Sequence, residues 1–453
     1  MAASRKMPPD LAAQLLKHWP DELSGLCVLE VGLSGGLDSM ALLSLLCEAR
    51  ERRPQLRLSA VHVHHGLSPN ADAWAEHCRQ VCARLDVPLR VERVHLAVAG
   101  GESLEAVARE ARYRVYRQSA AQVIALAHHL DDQAETVLLQ LLRGGGARAL
   151  AAMPAVRPLD GAGRMLWRPL LGHARAELEA YVRSRDLGWV EDESNQDTRY
   201  RRNLLRQDIL PRIEQAIPHY RQHLARAASL QADAVELLAE VSAADLAACR
   251  VDGGLDWLRL KSLSPARQRH ALLAWLQALG WPAPEPAALR EFLRQLHQAG
   301  PEACPLLRLP AGSLLRFGGA VQAWPALAAP QATALPPLDP AQSLLLPSWG
   351  GRLGWAWRAS GLDAAHLAGG LVLRPRQGGE KLPGRAGRRA VKDLLREAGL
   401  PPLLRQRWPL LYSGAGDLLA VPGVAVSQAH AAGPGWWPLW QAAGPENASD
   451  QSG

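Results

Sequence analysis

An α/β fold with a parallel sheet, followed by a helical domain and a small α+β C-terminal domain, is predicted by three features of the 453-residue sequence. Up to about residue 216, short β-branched runs alternate with longer amphipathic runs. Such alternation builds a parallel sheet covered on both faces. Apolar residues then recur at helical spacing through the second region. Beyond a Pro/Ala-rich stretch, short strand-like runs surround one clear helical pattern. A chain of this length exceeds one ordinary core, so several domains are expected.

In the first region, strands are expected at 27–33, 58–64, 89–94 and 123–127. Helices are expected at 40–52, 72–85, 103–119 and 131–143. Ligands of open parallel sheets sit at the carboxyl ends of the strands. The residues that follow each strand are therefore the first candidates for chemistry. The boundaries drawn are 1–216 for the α/β domain, 217–325 for a helical domain and 326–347 for a linker. A C-terminal domain follows at 348–440, then a loose polar tail at 441–453. Within the helical domain, Ala227, Leu230, Ala234, Leu237, Leu238 and Val241 mark one helix, and 272–279 and 289–296 two more. The linker, rich in Pro and Ala and poor in charge, is expected to be semi-rigid and extended. The helix of the last domain is placed at 389–398.

The composition is globular, 48% hydrophobic and 21% charged, with a net charge of +7. Forty-six of the basic residues are Arg. That balance suits a polyanionic partner, although a GC-rich genome produces the same bias. The six cysteines are scattered; only Cys78 and Cys82 lie close, at a spacing that fits one helix face and not a CxxC pair. Unpaired cysteines suit a reducing cytoplasm. There is no apolar run long enough to span a membrane and no apolar core for a signal peptide near Met1.

The strongest motif is Ser34-Gly35-Gly36-Leu37-Asp38-Ser39, between the first strand and its helix. Two glycines let the backbone turn tightly and approach a phosphate, and the helix N-terminus offers N–H groups and a positive dipole end. Asp38 is explained only if Mg2+ bridges it to phosphates. No Gly-Lys-Ser/Thr is present, so this is not a Walker A loop. At the end of the second strand, His62 and His64 share a face in His62-Val63-His64-His65-Gly66, and His64 is the candidate nucleotide contact. The fourth strand ends in His128-His129-Leu130-Asp131-Asp132-Gln133-Ala134-Glu135. Asp132 and Glu135 lie on one helix face, with His128 just before. Acids there also stabilise the helix dipole, but that does not account for the two histidines. Glu105, Arg109, Arg112 and Tyr113 form either a salt-bridged helix face or an RNA contact. A further cluster runs from Asp192 through Glu193, Ser194, Asn195, Gln196, Asp197, Tyr200, Arg202 and Asn203 to Arg206.

Taken together, 34–39, 62–68, 127–136 and 192–206 resemble the tRNA(Ile)-lysidine synthases, members of the PP-loop ATP-pyrophosphatases with an adenine nucleotide alpha hydrolase-like fold. A looser likeness continues at 373–380. The resemblance implies ATP and Mg2+ as cofactors. It also implies a ligation in which ATP adenylates the wobble cytidine of tRNA(Ile) with a CAU anticodon and free L-lysine displaces AMP. Under that resemblance, Ser34 to Ser39 hold the pyrophosphate, and Asp38 and Asp132 hold Mg2+ or lysine. His128, Asp132 or Glu135 relays the proton of the amine. Arg206, with Arg202 close behind, stabilises the transition-state charge.

The RNA would be held by the C-terminal region. From 374 to 407 there are ten basic residues against three acids, a surplus equal to that of the whole chain. Arg374, Arg376, Arg388, Arg389 and Lys392 are the candidate phosphate contacts, Arg388, Arg389 and Lys392 on the outer face of the helix. A tRNA thiolase would bring CxxC pairs, which the sequence lacks, and a nucleic-acid-binding module with a dead nucleotide site would not need the acids and histidines at strand ends. The sequence leaves the oligomeric state open, a homodimer included.

Overall fold

A computed structural model describes residues 10–96, 104–193, 197, 199, 201–300, 303–336, 339–384 and 387–442. The chain divides into two units, Met1–Leu237 and Leu238–Gly453. The expected tail at 441–453 and the N-terminus up to residue 9 lie almost wholly outside the described residues.

The first unit begins with α1 (Leu11–Lys17), β1 (Val28–Gly32), α2 (Leu37–Arg52), β2 (Arg57–His64), α3 (Ala71–Arg84), β3 (Leu89–Arg93), α4 (Leu104–Arg117) and β4 (Val123–Ala125). It continues through α5 (Leu130–Leu142), α6 (Ala147–Leu150), β5 (Val156–Pro158), β6 (Met165–Trp167) and α7 (Arg175–Ser184). The strands form one sheet in the order β3-β2-β1-β4-β6-β5. All pairs are parallel except the edge pair β5–β6, a hairpin that the sequence pattern did not reveal. Alternation divides the strand residues between two cores. Leu29, Val31, Val123 and Ala125 face α2, α1 and α7. Val61, Ile124, Leu126 and Leu166 face Tyr113, Val115 and Tyr116 of α4. α2 is buried nearly all round, as expected of a helix apolar on every side. Glu30 is buried in β1 because Arg90 of β3 grips both its oxygens, at 2.8 and 2.9 Å.

From β1 the chain builds outward to β2 and β3, then returns to lay β4 on the opposite side of β1. That reversal makes the carboxyl ends of β1 and β4 a topological switch point, where the following loops diverge and leave a crevice. The unit continues through α8 (Arg201–Leu204), a π-helical turn (Leu205–Ile209), α9 (Leu210–Ala216) and the first part of α10 (Tyr220–Cys249). Leu210, Ile213, Tyr220 and Leu224 cover Ala134 and Leu138 of α5.

In the second unit, helices Pro265–Ala278 and Pro286–Gln298 cover the spans expected at 272–279 and 289–296, and a further short helix, Trp257–Ser262, was not expected. They lie against a five-stranded antiparallel sheet that includes Leu306–Leu309, Gly312–Phe317 and Ala320–Pro325. Trp275, Phe292, Leu296, Leu314 and Val321 fill the space between. The region expected to be helical thus ends in strands. Farther on, two more five-stranded antiparallel sheets share a core containing Leu353, Leu373, Leu395 and Leu411. The stretch expected to be a free linker belongs to that core: Thr333–Ala334 pairs with Leu373 and Val372, and Leu335 and Leu346 are buried. The segment stays extended where it pairs, and burial of these two leucines fixes it to the core. Among the described residues, no helix is long and apolar enough to cross a membrane, and Cys27, Cys47, Cys78, Cys82 and Cys249 form no disulfide.

Candidate active site

The loop after β1 closes on Ser39. Its hydroxyl accepts from the backbone N–H of Ser34 and Gly35, both at 3.2 Å, and donates to the Gly36 carbonyl at 2.9 Å. Gly35 holds φ +91, a left-handed conformation that glycine takes without strain. The side chain of Leu37 is buried in the core, so only its backbone faces the crevice. The N–H groups of Leu37, Asp38 and Ser39, in the first turn of α2, are the helix-terminal donors for an anion.

Across the switch point, α5 starts at Leu130 and carries the acids. Asp132 accepts from the backbone N–H of His129 at 3.1 Å. Nε2 of His129 lies 3.6 Å from Asp38 and 3.5 Å from Asp132, so the carboxylates from the two strand ends converge on one nitrogen. Burial disfavours the imidazolium, but Asp131, Asp38 and Asp132 outweigh it and push His129 up to about 10. Asp132 is held below the usual carboxylate range: burial opposes this, and the charges of His129 and Arg202, with the His129 backbone N–H, overcome it. Asp131 is also held below the usual carboxylate range: burial opposes this, and His129, the backbone N–H of Arg175 at 2.9 Å and Arg221 of α10 at 2.5 Å overcome it. It ties α5 to α7 and α10.

Glu135 is wholly buried, and both its oxygens are taken. Arg206 donates Nε to Oε1 at 2.7 Å and Nη2 to Oε2 at 3.0 Å; Arg202 donates Nε to Oε2 at 3.1 Å. Arg206 sits in the π-helical turn, a local widening common at functional sites. Its Nη2 also reaches Asp132 at 3.4 Å. A wholly buried carboxylate held by two guanidinium groups anchors them, an arrangement that suits positioning better than the proton relay expected of Glu135. Half-buried His128 accepts from Arg168 and is pushed down to about 3, chiefly by burial, with Asp132 opposing and Arg168, Arg109 and Arg202 adding to it.

The expected residues therefore fall into groups. Asp38 and Asp132 meet at His129, and Asp132, Glu135, Arg202 and Arg206 form one ion-paired cluster. His64 is buried at the end of β2, with Nε2 3.2 Å from Asp72, a partner other than the phosphate loop. His62 hydrogen-bonds the Leu33 carbonyl at 2.9 Å, which supports the loop from beneath. Ser194, Asn195, Gln196 and Tyr200 lie outside the described residues. Sequence reasoning gave no specific role to His129 or Asp131 and overlooked Arg168 and Arg175. His129 was legible, as the neighbour of His128 at a strand end; Arg168 depends on the pairing of β4 with β6.

In the second unit, Arg374, Arg388 and Lys392 are exposed. The helix expected at 389–398 spans Val391–Glu397, and Arg388 and Arg389 belong instead to a hairpin, Lys381–Gly384 with Gly387–Ala390. Gly387 holds φ +112, and Leu382, buried, seats this strand pair in the core. Arg389 pairs with Glu397 at 2.5 Å, and Arg376 donates to the Arg405 carbonyl at 2.9 Å.

A phosphate loop and converging carboxylates at the switch point of a parallel sheet define an ATP-using PP-loop enzyme. Residues 10–213 match the PP-loop domain family, 255–322 the TilS substrate binding domain and 371–440 the TilS substrate C-terminal domain. The chain is 65% identical to the tRNA(Ile)-lysidine synthase of Chromobacterium violaceum, over 96% of this chain and 100% of that one. It is 46% identical to that of Pseudomonas aeruginosa, over 94% and 95%. Among solved structures, a U34-tRNA thiolase of Methanococcus maripaludis is similar at 18% identity and TM-score 0.40, over 48% of this chain and 77% of that one. A TilS C-terminal domain is similar at 25% identity and TM-score 0.20, over 25% and 98%. The chain belongs to the tRNA(Ile)-lysidine synthase family, ligases of tRNA modification.

Proposed function

We propose that the chain joins the side-chain amine of free L-lysine to C2 of the wobble cytidine in the CAU anticodon of tRNA(Ile), by way of an adenylated tRNA. The C2 oxygen attacks the α-phosphorus of ATP and pyrophosphate leaves. The amine then attacks C2, and AMP leaves with the oxygen and the bonding pair. The product would make the anticodon read AUA in place of AUG. The observation that carries this is the convergence of Asp38 and Asp132 across the switch point, beside the loop at 34–39.

The leaving pyrophosphate suits the first turn of α2. Asp38 and Asp132 fit Mg2+: two carboxylates meet at one place, and Oδ1 of Asp38 is buried with no hydrogen-bond partner. A hard cation that keeps waters and phosphates needs only one or two protein carboxylates. Bound there, it would neutralise charge on the phosphates. Arg206, aligned by Glu135, stabilises negative charge at the reacting phosphoryl group. Asp132 accepts hydrogen bonds from the amine and takes its proton as the C–N bond forms. The exposed Arg374, Arg388 and Lys392 hold tRNA phosphates, which position the RNA without reading sequence. A reducing cytoplasm suits Cys27, Cys47, Cys78, Cys82 and Cys249, which form no disulfide.

The test is pyrophosphate release from ATP with unmodified tRNA(Ile), with and without lysine, followed by mass analysis of the tRNA. A lysine-dependent product at the wobble cytidine supports the reading. Pyrophosphate release with no lysine in the product would assign another nucleophile.

A further inference from the structure

We infer that Arg168 is a positioning residue that fixes His128 as its Nε2–H tautomer, so that His128 presents a hydrogen-bond donor to the substrate and does not act as a base. The catalytic part of this statement rests on the proposed reaction; the tautomer does not.

The arrangement follows from the sheet. β4 pairs with β6 through Val123–Met165 and Ala125–Trp167, and Leu126 continues the ladder by donating to the Trp167 carbonyl at 2.8 Å. The residues leaving these two strands therefore stay side by side, His128 from one and Arg168 from the other. Arg168 is only 3% exposed. Its backbone N–H donates to Ala155 at 2.8 Å and its Nη1 to the Pro154 carbonyl at 2.7 Å, which fix the guanidinium from both ends. Its Nε then meets Nδ1 of His128 at 3.2 Å.

A guanidinium offers donors only and stays protonated. Nδ1 must therefore accept through its lone pair, and the single ring proton lies on Nε2. An imidazolium would set N–H against N–H. Of the charged groups around the ring, Asp132 favours a second proton, while Arg168, Arg109 and Arg202 oppose it together with burial. A neutral imidazole in this state can donate to an oxygen that gains negative charge, as neutral histidines do in other enzymes. It cannot take the proton of an incoming amine through Nε2, so that proton falls to Asp132. A sequence shows two histidines before two acids; it does not show which ring nitrogen holds the proton.

Histidine labelled with 15N, read through long-range proton–nitrogen correlations at neutral pH, reports each ring's tautomer. The His128 signals are those lost in His128→Gln. The expected pattern in the native protein is a bare Nδ1 and a protonated Nε2. Arg168→Met is expected to shift it towards a mixture, and Arg168→Lys, which keeps a donor, to retain it. A protonated Nδ1 in the native protein overturns the inference, with no variant needed. In the ligation assay, His128→Gln keeps an N–H near the position of Nε2 and is expected to hold kcat within about tenfold of the native value. His128→Ala should lose about a hundredfold. Equal losses in the two would assign His128 to base catalysis. Should lysine ligation itself fail, the spectrum still decides the tautomer, so the two failures are separable.

Discussion

Arg206 holds Glu135 through two near-parallel hydrogen bonds, at 2.7 and 3.0 Å, and joins a π-helical turn to the buried face of α5. Such a fork aligns the guanidinium in a way that Lys cannot reproduce. Arg206→Lys is expected to lower kcat about a hundredfold with little change in unfolding midpoint. Steady-state kinetics beside thermal unfolding separate the two effects. Glu135→Ala should lower kcat as well, since it frees Arg206, and it also acts on stability, because it leaves two guanidinium groups facing an empty buried site. Removing one partner of a buried pair costs about 3–5 kcal/mol. Partial exposure of Arg202 and Arg206, 30% and 39%, brings the expected loss to about 2 kcal/mol. An unfolding midpoint equal to that of the native protein would remove the anchor role.

Gly35→Ala tests the phosphate loop. At φ +91 any side chain is strained, and the new Cβ would lie 3.0 Å from Cγ2 of Val190 and 3.2 Å from Sγ of Cys78. The strain amounts to about 1–2 kcal/mol. Relief would rotate the loop away from Ser39, so KM for ATP should rise about tenfold or more. Native-like ATP binding by calorimetry would show that the loop tolerates a side chain.

Much of this site was legible because its signals are local. The phosphate loop, the strand-end histidines and the acids Asp132 and Glu135 each lie within one strand–turn–helix passage, so spacing alone places them. The pairings that give them roles are not local. Glu135 meets Arg206 across 71 positions, and His128 meets Arg168 across 40. Only the sheet order and the fold of α8 to α10 bring these together. Periodicity found the helices at 265–278 and 286–298. The strands after them went unread although Gly318-Gly319, with φ +59 and +83, is the turn that a two-residue hairpin requires. Leu335 and Leu346 were hidden by composition: a Pro/Ala-rich stretch reads as linker, and the single Leu335 and the short run Leu344-Leu345-Leu346 give no period to show which side is buried.

For the RNA surface, the structure separates exposed cations from engaged ones. Arg388→Ala with Lys392→Ala removes two exposed charges and leaves the Arg389–Glu397 pair intact. Each lost phosphate contact should reduce the slope of log affinity against log salt by about one. Fluorescence anisotropy with tRNA at several salt concentrations reads the slope. Arg376→Ala should act differently, since its side chain supports the loop through the Arg405 carbonyl. It is expected to lower stability by about 1 kcal/mol. A double variant with the native slope would move the tRNA contacts elsewhere.

His65 makes acid sensitivity a property of the first unit. Burial, reinforced by Arg112, His62 and His64, pushes it down to about 4 from the ordinary 6.5. Above 6.5 the ring is neutral whether the chain is folded or unfolded, and its contribution is fully present. As pH falls from 6.5 towards 4, the unfolded chain binds a proton that the folded protein refuses. Stability is therefore lost through that window. His62 and His128 are also depressed by burial and add to the same slope. His65→Gln cannot titrate, so its urea midpoint should fall less steeply between pH 6.5 and about 4 than that of the native protein. Parallel slopes in the two proteins would mean that His65 is charged in the fold, which its setting beside Arg112 and two other histidines opposes.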